Sequence, residues 1–191
     1  MRENLGASPF KITICGIDEL IDHSAAQVTH VLSILDPSTP QPEAFGHYGE
    51  HARLELRFHD VIEANVAGYD APQPRHIEEL LAFGMDLMKE PEGSAHLLVH
   101  CHMGISRSTA AAALLLAKAK PDWSGPRVMM EISGVREKAW PNLRMIEIGD
   151  EMLGRNGDLV RAVRTRHREL AAAWPQVADY MRDSGRAREL D

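Results

Sequence analysis

The stretch "HLLVHCHMGISRSTAAAALLLAKAK", from His96 to Lys120, narrows the possible folds more than any other part of the chain. His96 to His100 make an apolar run of strand length, dense enough to sit in the middle of a sheet. A loop containing Gly104 and Arg107 follows. From Ser108 the chain is alanine and leucine nearly all round, which is how a helix packed in an interior reads.

Upstream, "KITICGIDEL" and "THVLSILDPS" read as short buried strands, with "DELIDHSAAQVT" between them patterned like a helix. A strand, helix, strand opening of this kind implies an α/β fold with a mostly parallel sheet of about four to five strands flanked by helices. In "ARLELRFHDV" Leu54, Leu56 and Phe58 alternate with charged residues, the pattern of a half-buried strand near a sheet edge. "VIEANVAGYDAPQP" has no sustained period and reads as a long loop, a length often tied to function. The next helix is expected to turn Ile77, Leu80, Leu81, Met85 and Met88 to the core. Two helices are expected in "PRVMMEISGVREKAWPN" and "LRMIEIGDEMLG", and a charged terminal one broken near Pro175.

With 191 residues, 44% of them hydrophobic, the chain can bury one ordinary core. The expected division is one domain over residues 1–155 and a helical extension over 156–191, packed on it or projecting from it. A net charge of −7 argues against a general nucleic-acid or anionic-membrane binder, because such binding draws on basic surface. No run approaches a membrane span and "MRENLGASPFKITICG" lacks the apolar core of a signal peptide, so a cytoplasmic location is expected. The two cysteines, Cys15 and Cys101, are far apart in unlike settings, which does not read as a disulfide framework. Cys15 reads as core, with a redox partnership to Cys101 left open.

A strand, His100, Cys101, five residues, Arg107, Ser108 and a helix are arranged to bind a tetrahedral dianion above a sulfur. The backbone N–H groups of His102, Met103, Gly104, Ile105 and Ser106 can converge on phosphate oxygens, with the helix N-terminus adding partial positive charge. Gly104 permits the tight turn. Arg107 offers a planar fork that lysine cannot match. The same donors stabilise a thiolate, the nucleophilic form of cysteine. Ser108 is placed to hydrogen-bond the sulfur. Two bland readings compete: a buried structural thiol, or a metal site built from His96, His100, His102 and Cys101. The second is disfavoured because three of these residues are consecutive, and no metal or other cofactor is expected.

"HCHMGISRS" resembles the signature loop of the protein tyrosine phosphatase superfamily, and the short chain resembles its compact dual-specificity members. The resemblance implies phosphomonoester hydrolysis through a cysteinyl-phosphate on Cys101. The expected substrate is protein phosphotyrosine, with phosphoserine and phosphothreonine also open, or a small phosphomonoester. Nucleic-acid and membrane partners are not expected, and the oligomeric state is left open. A general acid is needed to protonate the leaving oxygen. The family's placement of its acid directly after a strand favours Asp60, whereas the usual separation from the cysteine favours Asp70; Glu63 is a third choice. "VREKAWPNLRMIEIGDEML" resembles the family's segment beside the phosphate loop, with Arg136, Pro141 and Asn142 in order. Asn142 is expected to brace the loop, to position water, or simply to cap the helix at Leu143. Tyr69 is a candidate ring at the rim of the site. The competing functions are an inactive phosphate-binding module, sulfur transfer or arsenate reduction, and a phosphatase of a non-protein substrate.

Overall fold

A computed structural model describes residues 7–91 and 93–191. Four strands, β1 (Lys11–Cys15), β2 (His30–Leu35), β3 (Ala52–Arg57) and β4 (His96–His100), form one sheet in the order β1-β4-β2-β3. Every pairing is parallel. The fully buried strands are the central ones: all residues of β2 and β4 are buried, while β1 and β3 keep exposed positions at the edges. This follows from the rule that a strand covered on both faces loses alternation. Cys15 and Ser33 both stand in register with His100, so the C-terminal ends of three strands gather just before Cys101.

Among the described residues there are six α-helices, the first between β3 and β4 and the rest after β4: α1 (Pro74–Leu87), α2 (Arg107–Ala119), α3 (Gly125–Val135), α4 (Leu143–Met152), α5 (Asp158–Ala173) and α6 (Pro175–Asp183). The main core lies between them and one face of the sheet, with α2 at its centre. The opposite face, carrying Val31 and Leu98, is covered by two short 3-10 turns, Leu20–His23 and Glu43–His47, through Leu20, Phe45 and Tyr48. Among the described residues no helix is long and apolar enough to cross a membrane.

Two expectations need correction. The helix expected between the first two strands is only the Leu20–His23 turn; Leu20 alone is buried there, and Gln27 breaks the pattern with a φ of 51°. In α1, Met85 and Met88 face solvent, and the inner face instead runs Ile77, Leu80, Leu81, Gly84, Leu87. A Cβ on Gly84 would lie 2.4 Å from the Leu115 side chain, so α1 rests directly on α2 there. A count of apolar side chains passes over that contact because its key residue has none.

The charged C-terminal region forms α5 and α6, which break at Pro175. α5 packs against α3 and α4, and its His167 stacks on Trp140 with ring centroids 4.3 Å apart. Burial pushes His167 down to about 3, so it is a neutral ring, with Nε2 paired to the Pro141 carbonyl at 3.0 Å.

Candidate active site

β4 ends at His100 and the chain turns at Cys101, which is buried with its Sγ 3.3 Å from Ser108 Oγ. His100 is held below by Ser33 Oγ at 2.7 Å, and burial pushes its ring down to about 4, keeping it neutral. The loop from His102 to Ser106 lies against the end of β1. Gly104 has a φ of +67°, and a Cβ there would sit 2.4 Å from the Cys15 carbonyl carbon. Two further ties fix the outer side: Ile17 N–H donates to the His102 carbonyl, and the Arg136 guanidinium donates to the Met103 carbonyl at 3.1 Å while pairing with Glu19. On the inner side, Trp140 and Asn142 N–H groups donate to the Ile105 and Ser106 carbonyls. Four of the loop carbonyls, those of His102, Met103, Ile105 and Ser106, are thus held by neighbouring segments. Among the described residues, none of the backbone N–H groups from His102 to Ser106 has a partner within the chain.

Arg107 begins α2 and is buried. Its Nη1 donates to Asp36 Oδ1 and to the Phe58 carbonyl, both at 2.6 Å. Its Nε has no partner among the described residues. Asp36, at the end of β2, therefore fixes one edge of the fork and leaves the other edge for an anion.

Asp60 stands two residues past Phe58, with 30% of its side chain exposed. Its Oδ1 accepts from Ser106 Oγ and from Asn142 Nδ2, both at 2.8 Å. Asn142 also caps α4, its Oδ1 accepting from Met145 N–H at 3.1 Å, so the bracing and capping roles coexist in one side chain. The third partner is Arg186, whose Nη1 reaches Asp60 Oδ2 at 3.0 Å. Burial alone would push the Asp60 carboxyl up, but Arg186, then Arg107, with the two hydrogen bonds, outweighs it and holds the group below the usual carboxylate range.

Cys101, the loop, Arg107, Asp60 and Arg186 line one cleft of 540 Å³. Its wall comes from Trp140 and from α5 and α6: Leu170, Trp174, Val177, Tyr180 and Met181, with Lys138 at the edge. Asp70 does not line it. Its backbone pairs with His59, 11 residues earlier, and Tyr69 meets the His59 ring edge-on, outside the cleft lining, so the ring expected there from Tyr69 comes from Trp174 and Tyr180 instead. Glu63 pairs with Arg188. The histidines considered for a metal turn to separate partners: His96 to Thr13 and Ala26, His100 to Ser33, His102 to Asp36 and Thr39. Cys15 is buried in the smaller core, and burial pushes its thiol up to about 12.

No protein-family model matches the chain, and no curated protein matches it in sequence. Solved structures do match. Human DUSP28 superposes with a TM-score of 0.57 at 14% identity, over 80% of this chain and 95% of that one. The fold is that of the compact dual-specificity phosphatases. DUSP15 gives a TM-score of 0.56 at 21% identity, over 84% and 95% of the two chains. PTPMT1, solved in complex with PI(5)P, gives 0.52 at 15% identity, over 76% and 91%.

Within this fold, four charged side chains that hold the loop, Arg107 or Asp60 in place are not singled out by the sequence, Glu19, Asp36, Arg186 and Glu189, and neither are the wall residues such as Trp140, Trp174 and Tyr180. Asp36 was the most accessible, as a carboxylate directly after a buried strand. Arg186 and Glu189 carried no local signal, since an Arg and a Glu near a charged C-terminus read as solvated surface.

Proposed function

We propose that the chain hydrolyses phosphomonoesters through a cysteinyl-phosphate on Cys101, with protein phosphotyrosine as the main substrate and phosphoserine or phosphothreonine as secondary ones. The observation that carries this reading is the set of donors next to Cys101 that find no partner among the described residues: the backbone N–H groups of residues 102–106 and Arg107 Nε. Donors left unpaired at a buried sulfur cost stability unless an anion completes them. The metaphosphate-like charge of a transferring phosphoryl group is what such a set of donors best stabilises.

Cys101 Sγ attacks phosphorus in line as the P–O bond to the leaving group breaks. The negative charge of the bound phosphoryl group favours a proton on Asp60 against the pull of Arg186 and Arg107, and Asp60 gives that proton to the leaving oxygen. Water then attacks the phosphocysteine, the S–P bond breaks, and the Asp60 carboxylate takes a proton from that water. Ser108 Oγ hydrogen-bonds the departing thiolate. Asp60 is preferred to Asp70 as the acid because it lines the cleft with Cys101. The aromatic and apolar wall suits a phenyl ring better than a bare serine side chain. The same wall supports a second reading, a phosphorylated lipid, and PTPMT1 was solved with PI(5)P.

The test uses para-nitrophenyl phosphate, a phosphotyrosine peptide and dispersed phosphatidylinositol phosphate. Turnover of the first two, abolished in Cys101→Ser, is expected. Tungstate binding without turnover points to an inactive phosphate-binding module instead, and faster hydrolysis of the lipid favours the second reading. Asp60→Asn should lose about 10²- to 10⁴-fold on a poor leaving group. The acid assignment fails if Asp70→Asn shows that loss and Asp60→Asn does not.

A further inference from the structure

The residues after α6 turn back into the cleft. Arg186 is buried, with a side chain 7% exposed, although it lies five residues from the end of the chain. Its guanidinium makes a closed set of contacts: Nη1 to Asp60 Oδ2 at 3.0 Å, Nη2 to Ser106 Oγ at 2.9 Å, and Nε and Nη2 to Glu189 at 2.9 and 2.8 Å. Glu189 is itself fully buried, and accepts from Trp140 Nε1 at 2.7 Å and from Leu143 N–H at 3.0 Å. Leu143 opens α4 beside Asn142, which also holds Asp60. A buried guanidinium between two carboxylates represents a large desolvation cost, and a surface extension of the fold would not need it.

We propose that the C-terminal segment is part of the reaction machinery: Arg186 is a positioning residue that holds the Asp60 carboxyl group against the phosphate loop and balances its charge, and Glu189 fixes Arg186. The inference rests on Asp60 being the general acid.

The charged and polar groups facing Asp60 are Arg186 from the tail, Arg107 from α2, Asn142 from the α4 cap, and Ser106 and, further off, His102 from the loop. A bound phosphate dianion brings negative charge toward the same carboxyl and favours its protonated form; Arg186 opposes that. The two together set the pH above which the acid has lost its proton. Because Arg186 also donates to Ser106, the loop and the acid are tied through one guanidinium.

The experiment measures the alkaline limb of kcat on phenyl phosphate, a poor leaving group, and the Asp60 titration midpoint by ¹³C carboxyl NMR assigned with Asp60→Asn. In Arg186→Gln both should move to higher pH, by about one to three units, the range expected for loss of an adjacent opposite charge. Arg186→Lys, which keeps the charge, should restore most of the wild-type midpoint. Glu189 left alone in the interior threatens folding, so Arg186→Gln/Glu189→Gln, which removes both charges, is measured alongside; the same upward shift is expected. A tail that serves only to stabilise the fold would lower the melting temperature and leave limb and midpoint where they were, and that result overturns the inference. If the wild type turns over and Cys101→Ser does not, but Asp60→Asn leaves the alkaline limb unchanged, the acid assignment fails and the inference with it. Absence of wild-type turnover is the distinct failure of the phosphatase reading, and an unmoved NMR midpoint in Arg186→Gln still overturns the inference in that case.

Discussion

At the scale of single residues, the site depends on side chains that satisfy two demands at once. Asn142 caps α4 with its oxygen and holds Asp60 with its nitrogen. Ser106 precedes α2 as its N-cap residue, yet its hydroxyl turns from the helix to Asp60 and Arg186. Ser108 is simpler, with a single contact to Cys101 Sγ. A hydrogen bond to a charged group is worth about 1.5–3 kcal/mol, so its loss should slow thiolate departure by roughly 10- to 100-fold. Ser108→Ala should therefore accumulate phosphoenzyme, seen as a stoichiometric burst of para-nitrophenol followed by a slow steady rate. A uniform loss of rate with no burst contradicts a leaving-group role for that hydroxyl. That Cys101, Arg107 and Ser108 come together was legible in the sequence because all three lie within eight positions, where spacing fixes geometry. Which carboxylate joins them was not: Asp60 and Asp70 are near neighbours in a long loop, and only contacts with Asn142, Ser106 and Arg186 separate them.

At the scale of elements, the phosphate loop is shaped by what it rests on. Gly104 approaches the end of β1 so closely that a side chain would overlap Cys15 and Gly16 backbone atoms, and its positive φ adds strain for any other residue. Gly104→Ala should cost about 1–3 kcal/mol from backbone conformation, with a further cost as the loop lifts from β1. The expected result is a lower melting temperature together with a loss of tungstate affinity, because the donors no longer converge. Unchanged tungstate affinity in that variant would mean that the loop does not need β1 as its template. The strand, loop and helix sequence was readable as local pattern. The α1 face was misread at Met85 and Met88 because Gly84, the closest contact with α2, contributes no apolar side chain to the pattern.

At the scale of the whole molecule, five of the described histidines are buried, and the two with no exposure, His100 under the loop and His167 against Trp140, are pushed down the furthest. Burial pushes them down to about 4 and about 3, from an ordinary value of 6.5. Between those values the unfolded chain takes up protons that the native state refuses, so stability is lost as pH falls. The loss should begin near pH 6.5 and amount to about 3 kcal/mol for each histidine by pH 4. Asp60, held low by Arg186, adds a loss in the same direction only below the ordinary carboxylate range. Urea midpoints measured from pH 7 to pH 4.5 should fall steadily, and His167→Asn should flatten that slope. A midpoint independent of pH over this window contradicts the neutral, buried assignment.

The sequence by itself determined the fold class, the position of the loop between β4 and α2, and that Cys101 and Arg107 stand at its two ends, because strand length, loop length and helix periodicity are local properties of the chain. Tertiary structure decided which carboxylate shares the cleft with Cys101, that Asp36 fixes one edge of the Arg107 fork, and that Arg186 reaches the cleft with Glu189 behind it. Apart from the local Arg186–Glu189 pair, the contacts that do this join residues 46 to 126 positions apart, such as Ser106 with Asp60 and Arg186 with Asp60. Their partners carry no mark of one another until the sheet and helices bring them together. A charge that reads as solvated surface in the chain becomes a buried tie once α5 and α6 fold back over the loop.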